Sequence, residues 1–256
     1  MRRRISGWIS GRRFERVLRE IYVEYRNLIP TALLSGDNQK ARKYDRDTVR
    51  IARQSMGLTS AYVDAGAHAG TLLKEFIKIA PLGRGFAFEP IPALSDALRT
   101  RFPSISVEEV ALGSTDGTAQ FRHLVDDPAN SSLYIRPDRE MNRQTRSFEV
   151  KIKRLDDCVP ENLRVDFIKI DVEGAELELL KGAQRILSCD HPVIVFESVH
   201  SQLAEIGNFL TQFDMSIQLL TDYLSGTKRN LDEVLASAAS GGEYYFVAAR
   251  QIESSE

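Results

Sequence analysis

From Thr48 onward the chain alternates short apolar runs with stretches whose apolar residues return every three to four positions. Residues 62–64, 85–89, 105–111, 166–171, 193–197, 216–219 and 244–249 read as strands. Residues 71–79, 93–101, 175–187 and 202–212 carry helical spacing. Strand and helix in alternation predict the α/β class, with a mostly parallel sheet covered by helices on both faces.

Two segments break the rhythm. "TAQFRHLV" and "SFEVKIKRL" alternate with period two and flank "DDPANSSLYIRPDREMNRQTR". That pattern predicts an antiparallel pair carrying a long exposed loop, inserted between the third and fourth main strands. Before Thr48, "SGDNQKARKYDRD" is polar and reads as a loop, so residues 1–47 form an N-terminal segment and linker, and residues 48–256 the main domain.

Charge changes the picture only at the N-terminus. The 256-residue chain has a net charge of −2, which gives no chain-wide attraction to nucleic acid. Residues 1–30, in contrast, hold eight Arg against three Glu, a net of +5. Phe14, Val17, Leu18, Ile21, Tyr25, Leu28 and Ile29 recur there at helical spacing. This basic amphipathic helix either packs on the domain or lies against an anionic membrane surface with Trp8 as an interfacial anchor. Cys158 and Cys189 have no partners at disulfide or zinc spacing. No apolar run approaches the roughly 20 residues that span a bilayer. A cytoplasmic protein is expected, with membrane contact limited to residues 1–30.

The candidate chemistry begins at "YVDAGAHAG", where Asp64 closes a strand, Gly66 enters a tight turn and Gly70 lies in the start of a helix. A dinucleotide fingerprint needs a second glycine where pyrophosphate meets the helix N-terminus, and here that position is His68. Glu89 ends the next strand, 25 residues after Asp64, where a carboxylate suits a ribose diol. Two acids without a phosphate cradle fit a cationic nucleoside, and S-adenosylmethionine (SAM), with its ammonium and sulfonium, is such a ligand.

"YVDAGAHAG", "FAFEPIP", "NSSL", "LDD" and above all "DFIKIDVEGAELELLKGA" resemble the FkbM family of SAM-dependent methyltransferases, over roughly residues 62–197. The resemblance implies a Rossmann-like fold with a seven-stranded sheet whose last strand is antiparallel. It also implies O-methylation of a hydroxyl, commonly on a sugar or polyketide-type acceptor.

The expected cofactor contacts are Asp64, Gly66, His68, Gly70, Glu89 and Asp171, with Asp116 or the backbone near Leu112 meeting the adenine. Asp171 ends the fourth main strand, next to the first, and Glu197 ends the fifth with His200 just beyond. Asp171 and His200 are the candidate general bases, with Glu197 beside them. Asn130, Ser131, Ser132 and Glu173 are expected on the acceptor side, where Arg136, Arg139 and Arg143 could meet an anionic group. Glu176 is read as a helix cap. Asp171, Glu173, Glu197 and His200 could together hold magnesium, but no metal is assigned. The expected partner is a small hydroxylated acceptor such as a saccharide, with no nucleic acid. The competing readings are an NAD-dependent oxidoreductase or epimerase on a similar sheet, and a SAM-binding or partner-binding protein without catalysis.

Overall fold

The structure is a computed structural model that describes residues 36–124, 133 and 145–250. The amphipathic helix expected within residues 1–30, and Asn130, Ser131, Ser132, Arg136, Arg139 and Arg143, lie outside the described residues. By compactness the chain divides into residues 1–43 and 44–256, and every contact discussed below lies within the second unit.

Helix α1, Gly36–Ser55, occupies most of the polar stretch expected as a loop. The reason lies in its burial. Tyr44, Asp47, Thr48, Ile51 and Ala52 recur at spacings of three and four and are all buried. Two of those five are polar, which hides the stripe from a hydropathy reading. The intervening Lys, Arg and Gln residues are good helix formers.

The main sheet contains β1 (Ala61–Ala65), β2 (Arg84–Phe88), β3 (Ser106–Glu108), β7 (Val165–Ile170), β8 (Val193–Glu197), β9 (Met215–Leu219) and β10 (Tyr245–Arg250), in the order β3-β2-β1-β7-β8-β10-β9. Only β10 runs against its neighbours β8 and β9. Helices α2 (Thr71–Ile79), α3 (Pro92–Arg101) and α7 (His200–Leu210) match the expected spans to within two residues. Strand residues alternate between two cores. Val63, Ile168 and Ile170 belong to one cluster, and Tyr62, Ala87 and Phe167 to the other. That double burial explains why the strands read as continuous apolar runs.

The strand expected over 105–111 is divided. Its first part is β3, and Ala111–Leu112 forms β4 in a second, three-stranded sheet ordered β4-β6-β5. There β5 (Gly117–Leu124) and β6 (Thr145–Lys153) pair antiparallel, as the period-two pattern predicts. Leu133, the last residue of "NSSL", packs against the small cluster of Ile91, Ala111, Phe121 and Val150.

The helix expected over 175–187 is also divided, into α5 (Glu176–Lys181) and α6 (Gln184–Cys189). Gly113 lies so close that a Cβ on Gly182 would fall 2.0 Å from its carbonyl oxygen. The "LDD" motif forms the short helix α4, Leu155–Cys158, and the buried Asp156 carboxylate accepts the Arg185 and Ile186 N–H groups at 2.8 and 3.1 Å. Asp156 also donates its own N–H to the Gly182 carbonyl at 3.0 Å. The break therefore has a partner for its free backbone groups. Helices α8 (Leu220–Ser225) and α9 (Leu231–Gly241) complete the covering layers. None of the described helices is long and apolar enough to cross a membrane.

Candidate active site

The chain leaves β1 through Gly66, whose φ of 74° lies in the left-handed region. A Cβ there would fall 1.8 Å from the Asp171 carbonyl oxygen, so only glycine lets this turn pass the end of β7. The N–H groups of Gly66 and Ala67 both donate to the Phe88 carbonyl at the end of β2. His68 also has positive φ, 47°, and donates its backbone N–H to Glu89 Oε2 at 2.8 Å. The backbone of His68 thus joins the turn to the acid. Gly70, before α2, shares the left-handed φ of 74°, and a Cβ there would also meet the Phe102 ring at 2.5 Å and Leu98 at 2.8 Å.

Glu89 is 4% exposed, and its second oxygen accepts the Ile91 N–H at 2.9 Å. Burial pushes its carboxyl up to about 7, against the pull of these two N–H donors. Each oxygen still has a lone pair for a further donor.

Asp64 is 1% exposed and sits in register with Lys169 of β7. Lys169 is itself 5% exposed. Its Nζ donates to the Gly66 carbonyl at 3.0 Å and lies 3.3 Å from Asp171 Oδ2 and 3.6 Å from Asp64 Oδ1. That Asp64 oxygen has no partner within hydrogen-bond distance. Burial raises the Asp64 carboxyl, and Lys169 only partly offsets this. Burial alone would lower the Lys169 ammonium, but Asp171 and then Asp64 outweigh it and hold it above its ordinary value. Asp171 stays below the ordinary carboxylate range: burial works against ionisation, but Lys169 and the Tyr245 hydroxyl overcome it.

A second acid group stands at the ends of β7 and β8. Asp171, Glu173 and Glu197 bring one carboxylate oxygen each to within 4.8 Å of one another. Such a group can hold a hard divalent cation or take up a proton. Tyr245, the register partner of Glu197, donates its hydroxyl to Asp171 Oδ2 at 3.0 Å. The Tyr44 ring of α1 stacks on it at 4.8 Å. Glu173 takes a left-handed φ of 55° and the following Gly174 one of 103°. Glu176 opens α5, 1% exposed, with Oε1 accepting the N–H of Gly174, which precedes the helix, at 2.9 Å; the N-cap itself is Ala175, with no side-chain cap.

Two of the expected residues stand apart from the acid trio. His200 is exposed at the first position of α7. Asp116 is exposed before β5, and its Oδ1 accepts the Arg154 N–H at 3.1 Å, joining the two ends of the inserted pair. Lys169 and Tyr245 were not expected in the site. The signal for Lys169 was a single cation inside an apolar strand, "VDFIKI". Tyr245 had no local signal, being 74 residues from the acid it contacts.

A mostly parallel seven-stranded sheet with one antiparallel strand, bearing acids at or just beyond the carboxyl ends of β1, β2, β7 and β8, defines the class: a Rossmann-like α/β protein. Within that class the chain belongs to the FkbM methyltransferase family, whose domain model matches residues 64–229. Methyltransferase 1 of Beauveria bassiana strain ARSEF 2860 is 28% identical over an alignment of 144 residues, covering 48% of this chain and 58% of that relative. Methyltransferase sdnD of Sordaria araneosa is 30% identical over 152 residues, covering 47% of this chain and 59% of that relative. The chain thus spans less than two thirds of the length of either. Among solved structures, methyltransferase FkbM from Methylobacillus flagellatus KT overlays with a TM-score of 0.49 at 19% identity, covering 76% of this chain and 44% of that one.

Proposed function

We propose that this protein is a SAM-dependent O-methyltransferase acting on a hydroxyl of a small, hydroxyl-rich acceptor such as a saccharide. The observation that carries the reading is the buried Asp64 beside the Gly66 turn and backed by Glu89: its Oδ1 accepts no hydrogen bond and has only the Lys169 ammonium near it, at 3.6 Å. A buried carboxylate oxygen served only by one long ion pair is short of donors, and a ligand bearing an ammonium supplies another. The same stretch lacks the glycine that a pyrophosphate would need, which disfavours NAD.

When bound, SAM supplies an electrophilic methyl group on a sulfonium, transferred by in-line displacement. The residues then have separable tasks. Asp64 would hold the cationic end of the cofactor, and Glu89 would offer its remaining lone pairs to the ribose hydroxyls. Asp171, with Glu197 and Glu173 beside it, accepts a hydrogen bond from the acceptor hydroxyl and orients one of its lone pairs for attack. As the oxygen–carbon bond forms, that hydroxyl becomes strongly acidic, so even a carboxylate held ionised can take its proton. His200, at the exposed start of α7, is not needed for this step. From the sequence motif, Asn130, Ser131 and Ser132 are assigned further hydrogen bonds to the acceptor.

The test is to incubate the protein with SAM and a panel of saccharides and other polyols. S-adenosylhomocysteine formed together with an O-methylated product supports the reading. Calorimetric binding of NAD with none of SAM would overturn it.

A further inference from the structure

We infer that Lys169 is a positioning residue that holds the cofactor-side and acceptor-side acids in place as one charged unit, an inference that rests on the SAM reading above. Strand β7 is otherwise a core strand, with Val165, Phe167, Ile168 and Ile170 fully buried. An apolar side chain of similar length would fill the Lys169 position at lower cost, because burying an ammonium is expensive unless its partners are well placed. Here the partners come from two different strand ends. The Gly66 carbonyl and Asp64 belong to β1 and its turn, where the cofactor is expected. Asp171 follows β7, where the acceptor is expected. The ammonium hydrogen-bonds the Gly66 carbonyl at 3.0 Å and ion-pairs with Asp171 at 3.3 Å and, more loosely, with Asp64 at 3.6 Å.

The consequence is electrostatic as well as geometric. Asp64 and Asp171 oppose each other's ionisation, and Lys169 is the cation between them. Without it, one acid must take up a proton or turn away. Either change removes a negative charge that a cationic cofactor needs, and frees the Gly66 turn from the end of β7. Lys169 touches no reacting atom in this account. It acts through Asp64, Gly66 and Asp171.

A purely structural lysine would behave differently in a double-mutant cycle. SAM affinity is measured by calorimetry at pH 7.5 for the full chain and for K169M, D171N and K169M/D171N, with melting temperatures recorded alongside. The expected result is that K169M weakens SAM binding by more than tenfold in the native background, and by at least threefold less when Asp171 is already Asn. An equal loss in both backgrounds, or a K169M affinity within threefold of the native chain, overturns the inference. If K169M does not fold, a folded, SAM-binding K169M/D171N supports it, and two unfolded variants overturn it. A native chain that binds no SAM ends the cofactor reading itself, whereas a native chain that binds SAM with an insensitive K169M ends only the assignment of Lys169.

Discussion

At the scale of single residues, the site is an economy of acids around one cation. Asp171 keeps a low pKa because Lys169 and Tyr245 both bond to it, so its charge persists at neutral pH while Glu89 titrates. We expect Asp171→Asn to lower turnover by about 100- to 10,000-fold, the usual worth of a positioned base, with His200→Ala within about threefold of the native rate. The reverse ranking, read from S-adenosylhomocysteine formation, would move the base to His200. Chelation with EDTA is expected to leave turnover unchanged, and a loss restored by magnesium would recast Asp171, Glu173 and Glu197 as metal ligands. Glu89 gives a stability signature. Its carboxyl rises from 4.5 to about 7 on folding because burial disfavours the charge. The folded chain therefore binds more protons than the unfolded chain between those values, so the contribution is complete below 4.5 and is lost as pH rises through 7. The shift corresponds to roughly 3 kcal/mol in total. The stability of the native chain relative to Glu89→Gln should fall by about that much between pH 5 and pH 8 in urea unfolding without cofactor, and a flat difference would contradict the assignment.

At the scale of elements, the breaks carry the information. The single strand read over 105–111 serves two sheets, because after β3 the chain leaves the edge of the main sheet and returns as β4 beside β6. The helix read over 175–187 stops at Gly182, where the Gly113 carbonyl needs the room a side chain would take. Periodicity could see neither break, since each is caused by a partner distant in sequence. Asp156 shows how such a break is stabilised: its carboxylate serves two orphan N–H groups at the start of α6. Asp156→Ala should cost about 1 to 2 kcal/mol, lowering the melting temperature by roughly 2 to 8 °C for a domain of this size. A change below about 0.3 kcal/mol would show that the cap contributes nothing. Phe167, wholly buried against Phe76 from α2, tests the packing at the sheet centre. Truncation to Ala should cost about 3 to 5 kcal/mol in the same measurement.

At the scale of the whole molecule, the strand order puts β1 and β7 side by side, and so brings Asp64 against Lys169 and Gly66 against Asp171 across a hundred residues of chain. A ligand that binds this junction only when it is formed must stabilise the fold. At a hundredfold excess over its Kd, SAM should add about 2.7 kcal/mol, visible as a rise in melting temperature that NAD at the same concentration does not produce. The sequence alone determined the α/β class, the positions of most strands and the inserted antiparallel pair, because each rests on local periodicity, and it singled out Asp64, Gly66 and Glu89 as acids or a glycine beside a strand end. It also carried the family, in the motif that runs through "KIDVEG". What only the tertiary structure decided was the set of partners: that the His68 N–H meets Glu89, that Gly70 faces Phe102 and Leu98, and that Lys169 and Tyr245 hold Asp171. The physical reason is that burial, charge pairing and close backbone approach are properties of neighbours, and here the neighbours come from strands far apart in the chain.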